Sequence, residues 1–485
     1  MINLIASIYL YQNKLAIGKN NELLFKLKGD TVFFKNITTN SLSPDSKLTK
    51  NVVLMGRKTW DSLPDKHKPL DNRINIILTN DKKLLEKDNV FNLRNGVYFV
   101  NKTQFDEIYR KYNPNVFVIG GGCIYNMFLK SYKIDRIYLT HIQSDIPFTD
   151  HNKPNIFMDN PDSRYKLVGY SEKYHETNVN YRILTYHSTN IISDEYKYLD
   201  LAKHILDNGT PRQDRTGTGT MSIFGSQLRF DISNGNLPLL TTKQIPLKSI
   251  IEELLFFCRG DTDTKILNNR GVKIWNLNTT REFLDARGLH HYPIGCMGPM
   301  YGWSWRNFGA EYRPGTNNSK NGFDQLSHVE HLLKTDPFSR RIYISNLNPA
   351  ESSKMCLDMC HTYIQFYVEE IRGIKYLSGY FTMRSSDLFL AACSFNLISY
   401  NLLINILALR CDMKPREIVY NAVDCHIYKN HIDQIKLQLT RTPRPFPHIK
   451  LDKSLKTLDW SEMKYSDFEL IGYMPHEKIS APMAI

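Results

Sequence analysis

The sequence predicts at least two folded units, the first an α/β domain built on a mostly parallel sheet. Three observations carry that expectation. The chain has 485 residues, enough for two to four domains at roughly 100–200 residues each. Three apolar runs of strand length, residues 51–55, 73–78 and 115–119, are separated by helical patterns, as in a sheet covered on both faces. After the strand-like run 181–186, a fresh helical spacing begins at Asp194 with Tyr198, Leu201, Ala202 and Ile205. This places domains at 1–188 and 194–485 with a short junction at 189–193. That junction is neither Gly/Ser-rich nor strongly charged, and no internal repeat is visible. The Asn-rich stretch 315–322 reads as a surface loop.

Composition narrows the class. The hydrophobic fraction is 42% and the charged fraction 23%, ordinary for a globular protein, so extensive disorder is not expected. The net charge of +13 suits an anionic partner, either nucleic-acid phosphates or small anions such as nucleotides and polycarboxylates. A plain basic surface has the same charge. Of eight cysteines only Cys356 and Cys360 lie close together. No second pair stands at zinc-like spacing, so neither a metal site nor a disulfide framework is expected. The N-terminus reads as a strand and not as a signal peptide. The longest apolar stretch, 395–409, is broken by Asn396, Ser399, Asn401 and Asn405 and reads as too short and too polar to span a bilayer. A soluble, cytoplasmic protein is expected.

In the first half, Asp30, Phe33, Phe34 and Ile37 fall on one helical stripe. A carboxylate on that stripe either complements the helix dipole or pairs with the N–H donors of a bound heterocycle, since a lone buried carboxylate is costly. The strand at 115–119 runs into Gly120-Gly121-Gly122 and then a helical pattern, which makes a phosphate cradle or a tight turn without a ligand. Gly56-Arg57-Lys58-Thr59 follows another strand. Its two cations suit the extra phosphate of NADP or form a solvated basic turn.

In the second half, Ser249 and Glu252 have the spacing of a capping box. Ile250, Glu253, Leu254 and Phe257 then share a stripe, which makes Glu253 the better catalytic candidate of the two carboxylates. Arg215 sits in the small, glycine-containing loop 214–220, apt for phosphate. Arg340 and Arg341 precede a strand-like run. Adjacent strand residues face opposite ways, so both can reach one phosphate only from a turn; otherwise they are a surface pair. Cys360 and Cys356 are equal nucleophile candidates on spacing alone.

Residues 1 to about 187 resemble the dihydrofolate reductases. The likeness rests on Met1-Ile2-Asn3-Leu4-Ile5-Ala6, Ile17-Gly18-Lys19-Asn20, Met55-Gly56-Arg57-Lys58-Thr59-Trp60, Arg73-Ile74-Asn75-Ile76-Ile77-Leu78, Ile119-Gly120-Gly121-Gly122 and Leu139-Thr140-His141-Ile142, in family order. It implies a mixed sheet flanked by helices. It also implies that Asp30 binds the pterin and assists protonation at N5, with Thr140 supporting it. Phe34 and Leu63 would line the folate site, and Arg73 would hold the glutamate α-carboxylate. Gly56, Arg57, Lys58, Thr59 and Gly120, Gly121, Gly122 would hold NADPH. Leu24-Phe25 stands where the family has Pro-Trp, and phenylalanine lacks the indole N–H.

Residues from about 194 to 485 resemble the thymidylate synthases. The likeness rests on the 214–220 loop, Glu253-Leu254-Leu255, Ser339-Arg340-Arg341, Cys360-His361, Gln365-Phe366-Tyr367-Val368, Arg384-Ser385-Ser386-Asp387, Phe395-Asn396, His426-Ile427-Tyr428 and the ending 476–482. It implies an α+β fold and a homodimer. Cys360 would attack C6 of dUMP as a thiolate, with Arg384 depressing its pKa, and C5 would take the one-carbon unit of 5,10-methylenetetrahydrofolate. Arg215, Arg384 and Ser385 would hold the 5′-phosphate, with Arg340 and Arg341 reaching in from the partner subunit. Asn396 would read the uracil edge, Glu253 would order proton transfers, His426 and Tyr428 would bond the ribose, and Trp275 and Asp387 would contact the folate.

Several positions depart from that pattern: Met383 for Gln, Met359 for Pro, Cys296 for Asp, and Ala422-Val423 for a glycine-containing pair. The run from Asp387 to Asn396 is also one residue longer than the family's. One extended residue moves a chain by about 3.3 Å, so Asn396 is displaced unless a bulge or loop absorbs the addition. The leading expectation is two active enzymes, one regenerating the folate that the other oxidises. The alternatives are a degenerate synthase half kept as a dimerisation or nucleotide-binding scaffold, a changed pyrimidine such as dCMP, and nucleic-acid binding. The last lacks any helix-turn-helix or RNA-binding motif.

Overall fold

The computed structural model describes residues 1–40, 45–85, 93, 96–144, 147–149, 153–176, 178–189, 193–316 and 321–483. The chain divides into two compact units, Met1–Ser193 and Asp194–Ile485. The centre of the expected junction, 190–192, and residues 317–320 of the Asn-rich stretch lie outside the described residues.

The first unit runs β1 (Ile2–Tyr11), β2 (Lys14–Gly18), α1 (Lys28–Asn40), β3 (Val52–Gly56), α2 (Arg57–Ser62), β4 (Ile74–Leu78), β5 (Val97–Val100), α3 (Lys102–Tyr112), β6 (Val116–Gly120), α4 (Gly122–Ser131) and β7 (Arg136–Gln143). Then follow β8 (Ile156–Met158), β9 (Tyr165–Tyr170), β10 (Tyr174–Glu176) and β11 (Val179–Ser188). The sheet order is β10-β11-β7-β1-β6-β3-β4-β5. From β7 to β5 every pairing is parallel. These strands are apolar on both faces because both are covered: Val52, Val53, Leu54 and Met55 are all fully buried. The late strands join through short connections and pair antiparallel, so the sheet is mixed.

The second unit opens with α5 (Glu195–Asn208), β12 (Thr210–Arg212), β13 (Thr220–Asp231), α6 (Leu247–Cys258), α7 (Tyr301–Asn307) and α8 (Gln325–Thr335). It continues through β14 (Tyr343–Ser345), β15 (His361–Ile371), β16 (Ile374–Asp387), a π-helix (Leu388–Asn396), α9 (Leu397–Arg410) and β17 (Lys414–Tyr428), and then α10 (Ile432–Leu439), β18 (His448–Leu451) and β19 (Phe468–Ile471). The six-stranded sheet has the order β12-β13-β17-β16-β15-β14. Only β16 and β17 run parallel among its pairings, because the π-helix and α9 form the crossover between them. Helix α9 lies so close to β16 that a Cβ on Gly379 would stand 2.6 Å from Ile404 Cδ1. Glycine is what this approach requires.

Two expectations need correction. The apolar stretch after Asp387 is not too short or too polar to cross a membrane. Leu388–Arg410 is a continuous helix of 23 residues that passes by length and composition, and 83% of its most apolar window is buried inside the unit. It is a core helix, apolar on all sides because all sides are covered. The capping box at Ser249 does not form either. Helix α6 starts two residues earlier, at Leu247, behind Pro246. Glu252 lies inside it, paired with Arg270 at 2.8 Å.

Candidate active sites

In the first unit α1 carries the chemistry. Its stripe faces inward as the spacing predicts: Phe33, Phe34 and Ile37 pack with Leu63 against Ile5, Val53, Met55 and Ile77. Asp30 lies on the same face and accepts a hydrogen bond of 2.5 Å from the Thr140 hydroxyl on β7. Burial raises the Asp30 pKa above the usual carboxylate range, and the bonds from Thr140 and Ser7 temper the rise. The helix start is held from a distance. The Glu176 carboxylate on β10 accepts from the backbone N–H of Lys28 (2.5 Å) and Gly29 (3.1 Å). Sequence reasoning missed Glu176 because nothing local announces a cap 148 residues away.

Two turns along, the buried Arg73 donates to Thr38 Oγ1 at 2.8 Å and lies 5.6 Å from the Phe34 ring centre. Eight residues separate Asp30 from Thr38, about 12 Å at the helical rise. An acid at one end, aromatic and aliphatic side chains between, and a cation at the other end match an elongated ligand with a polar heterocycle and a distal carboxylate.

The glycine turn lies at the end of β6. A Cβ on Gly121 would come 3.1 Å from Thr59 Oγ1, and one on Gly122 would come 2.3 Å from the Phe157 carbonyl oxygen. Gly120-Gly121-Gly122 and the start of α2, Gly56 to Thr59, are therefore neighbours, and the α4 N-terminus opens beside them. Of the two expected cations, Arg57 is paired with Asp61 (2.9 Å) and Asp81 (3.6 Å) on the surface. Lys58 is exposed. Leu24 and Phe25 line a small cleft with Ser7, Ile17 and Ile142.

In the second unit the structure separates the two cysteines. Cys356 is fully buried, with its thiol 3.5 Å from Met300 Sδ and its pKa pushed up to about 12 by burial. Cys360 stands at the start of β15, its N–H bonded to Tyr301 Oη at 2.9 Å. Arg384 clamps the approach to it. The guanidinium donates to the Met359 (2.8 Å) and Asp358 (2.9 Å) carbonyls, and its backbone N–H donates to the Cys360 carbonyl. Burial pushes the Cys360 thiol above its ordinary pKa, while Arg384 and Arg215 pull it down. Arg384 acts in the expected direction, and burial is the larger effect.

Around this thiol, Arg215 is exposed on a loop pinned by Asp214, which accepts from the Thr216 hydroxyl and the Gly219 N–H. Ser385 follows Arg384 on β16 and pairs with Asp424 of β17. His426 Nδ1 lies 3.2 Å from Asp424, which also accepts from Ser222 and Arg212. Tyr428 stacks edge-on to His426 at 5.2 Å. Asp387 caps the π-helix, accepting from the Phe389 and Leu390 N–H groups. A π turn holds one residue more than an α turn, and the longer run before Asn396 is wound as a π-helix. Asn396 ends the turn buried, with Nδ2 3.4 Å from Met383 Sδ. Arg340 and Arg341 lie together in an exposed turn before β14.

Glu253 is 5% exposed and accepts from the Trp275 indole N–H at 2.7 Å. Burial raises its pKa to about 8. The folded value exceeds the unfolded one, so the stabilising protonated form is fully present below about pH 4.5. Its contribution is lost as pH rises to about 8. Glu253→Gln should therefore raise the stability of the second unit above pH 8, by on the order of a few kcal/mol, as read by thermal unfolding. An unchanged pH–stability curve would refute the buried-acid assignment. Sequence reasoning missed Tyr301, which touches Cys360 and stacks near His361 (4.6 Å) and Trp275 (6.4 Å).

Residues 1–188 match the family model for dihydrofolate reductase, and residues 196–485 match the model for thymidylate synthase. The chain is 37% identical to the bifunctional dihydrofolate reductase-thymidylate synthase of Zea mays, over 97% of this chain and 95% of that protein. Similarity of the same order extends to the Paramecium tetraurelia protein of that name, 37% identical over 97% and 96%, and to that of Plasmodium chabaudi, 34% identical over 96% and 89%.

Proposed function

The chain belongs to the dihydrofolate reductase and thymidylate synthase families, joined in one polypeptide as a bifunctional enzyme, and from that premise we infer how its own residues divide the chemistry. In the first unit Asp30, its pKa raised by burial, serves the pterin ring of dihydrofolate, with Thr140 fixing its orientation. Arg73 binds the distal carboxylate across Phe34 and Leu63. The cramped glycines at 120–122 bring the backbone beside Thr59 for a dinucleotide phosphate, and Gly56 brings Arg57 and Lys58 to the same edge. When bound there, NADPH supplies the hydride.

In the second unit Cys360 adds to C6 of dUMP as the thiolate. C5, made nucleophilic, takes the one-carbon unit of 5,10-methylenetetrahydrofolate and loses its proton. The folate then returns a hydride to form the methyl group, the Cys360–C6 bond breaks, and dihydrofolate leaves for reduction. Arg215, Arg384 and Ser385 bind the phosphate. His426, held by Asp424, and Tyr428 take the ribose. Glu253 and Trp275 carry the proton network, and Asp387 meets the folate. Asn396 reads the base. The +13 charge is accounted for by acidic substrates, and nothing in the site or the comparisons favours a degenerate synthase half.

The observation that carries this reading is that each unit holds a reactive group in a specific setting: Asp30 against Thr140, and Cys360 on a loop clamped by Arg384. It is tested by assaying one purified preparation for NADPH-dependent dihydrofolate reduction and for tritium release from [5-³H]dUMP. Reduction without release would leave the second unit a scaffold.

The dimer is also proposed. The face of the second sheet turned away from α9 carries Tyr363, Tyr367 and Tyr380, with Tyr367 64% exposed. A partly exposed aromatic sheet face of this kind suits an interface. Arg340 and Arg341, exposed and unattached to the Cys360 loop, then complete the phosphate site of the partner. Tyr363→Asp with Tyr367→Asp should give monomers by analytical ultracentrifugation and remove synthase activity while reductase activity persists. A dimer that survives the change would place the interface elsewhere.

A further inference from the structure

A helix leaves its first N–H groups without a partner inside it, and their positive end draws a carboxylate. In α1 the residue before the helix is Leu27, which has no side-chain acceptor, and the carboxylate of the first turn is Asp30. An aspartate so placed ordinarily bonds to nearby backbone N–H groups. Asp30 does not. Its Oδ1 accepts from the Thr140 hydroxyl, and the start of the helix is served by a carboxylate from another element.

That carboxylate is Glu176, on β10 at one end of the sheet order. Oε1 accepts from the Lys28 N–H at 2.5 Å and Oε2 from the Gly29 N–H at 3.1 Å. One side chain thus takes two adjacent backbone donors. The seat is shaped for it. Tyr181 on β11 is 2% exposed, with its hydroxyl 3.5 Å from Glu176 Oε2 and its ring 5.1 Å from that of Tyr174. A Cβ on Gly29 would stand 2.1 Å from the Tyr181 hydroxyl, so it is glycine that lets the helix start approach this pair.

We propose that Glu176 is a positioning residue of the reductase: by occupying the N–H groups at the start of α1, it leaves the Asp30 carboxyl on Thr140 and open to the pterin. The inference rests on the reading of Asp30 as the group that serves the pterin. Without Glu176, the carboxylate in the same turn as those N–H groups is Asp30 itself. Turning back to them would cost the Thr140 bond and favour the ionised form, since a carboxylate that accepts backbone N–H bonds holds its proton less well. Loss of the Glu176 charge acts in the same sense, because a like charge nearby favours the protonated acid. Among the described residues, the other titratable groups facing Asp30 are Tyr125 from α4 and Tyr181 from β11. Burial raises both phenols, so they stay neutral while Asp30 titrates. Ser7 on β1 and Thr140 on β7 face it as uncharged donors, and Lys28 is the cation beside Glu176.

The test follows dihydrofolate reduction against pH in the full chain, with kcat and KM separated and synthase activity of the same sample as the control. Glu176→Ala removes both bonds and the charge. Glu176→Gln removes the charge and keeps one acceptor oxygen. In the Ala variant the high-pH limb should move down by about one pH unit, and kcat above the limb should fall about tenfold, the same free energy read twice. The Gln variant should move the limb in the same direction by less and stay within about threefold of the parent rate. A cap that only steadies the helix would lower the melting temperature and the rate with the limb in place, and that result in both variants would overturn the proposal. So would variants indistinguishable from the parent. Should the Ala variant not fold, the Gln variant decides alone: its limb moves down or the proposal fails. If Asp30→Asn keeps its limb, the reading of Asp30 falls and the proposal falls with it. If Asp30→Asn loses the limb while both Glu176 variants hold it in place, only Glu176 loses its role.

Discussion

Replacement of Cys360 by alanine is expected to lower tritium release from [5-³H]dUMP by about 10⁴-fold or more, the scale on which an enzyme loses its nucleophile. NADPH-dependent reduction of dihydrofolate in the same sample should be unchanged. The loss should be this deep because no second thiol can stand in. Cys356, four residues earlier, is fully buried against Met300 with its pKa pushed up to about 12, and a thiol that does not ionise does not attack. Cys360 is also raised by burial, yet it alone of the two has Arg384 and Arg215 acting in the opposite direction. Arg384→Ala should therefore reduce turnover twice over, by releasing the loop at Asp358 and Met359 and by leaving the thiol less acidic. The measurement is tritium release with a parallel reductase assay. Substantial release from the alanine variant would mean that the covalent step runs through another residue.

The second large effect belongs to Asp30. Asp30→Asn should lower dihydrofolate reduction at neutral pH by about 10²–10⁴-fold, the usual value of a positioned general acid, and leave dTMP formation intact when methylenetetrahydrofolate is supplied. The pH profile carries the sharper test. The protonated form is the competent one, so the parent rate should fall as pH rises through the Asp30 pKa, which burial has lifted. The asparagine variant should lack that limb. Thr140→Val removes a hydrogen bond that favours the ionised form, so the limb should move to higher pH. There is a stability counterpart. A carboxyl raised in the folded state stabilises below its unfolded pKa and loses that contribution as pH passes the folded value. Asp30→Asn should accordingly make the first unit more resistant to heat at neutral pH while disabling it. Stored cost at a reacting group is common where function requires a shifted pKa. A variant that keeps both its rate and its pH limb would remove Asp30 from the reaction.

Much of this was legible in the residues themselves, wherever the signal is local. The buried parallel strands announce themselves as unbroken apolar runs, since a strand covered on both faces needs no polar alternate. Asp30 and Glu253 stand out because a carboxylate interrupts a helical stripe that otherwise goes inward. The family likeness, read from short motifs in order, supplied two activities and their substrates. Where a local rule met a competing contact, it failed. Ser249 and Glu252 have the spacing of a cap, but Arg270 claims Glu252 and the helix begins before the serine.

What the sequence determined by itself was therefore the class of each unit, because this depends on periodicity and on neighbours along the chain. The tertiary structure decided which cysteine is fully buried, that the run before Asn396 winds as a π-helix, and what holds each acid. Thr140 reaches Asp30 across 110 residues and Glu176 reaches Lys28 across 148. Neither distance is written in any local pattern; only folding brings those groups within a hydrogen bond, where burial raises the Asp30 pKa and the backbone N–H groups of Lys28 and Gly29 lower that of Glu176.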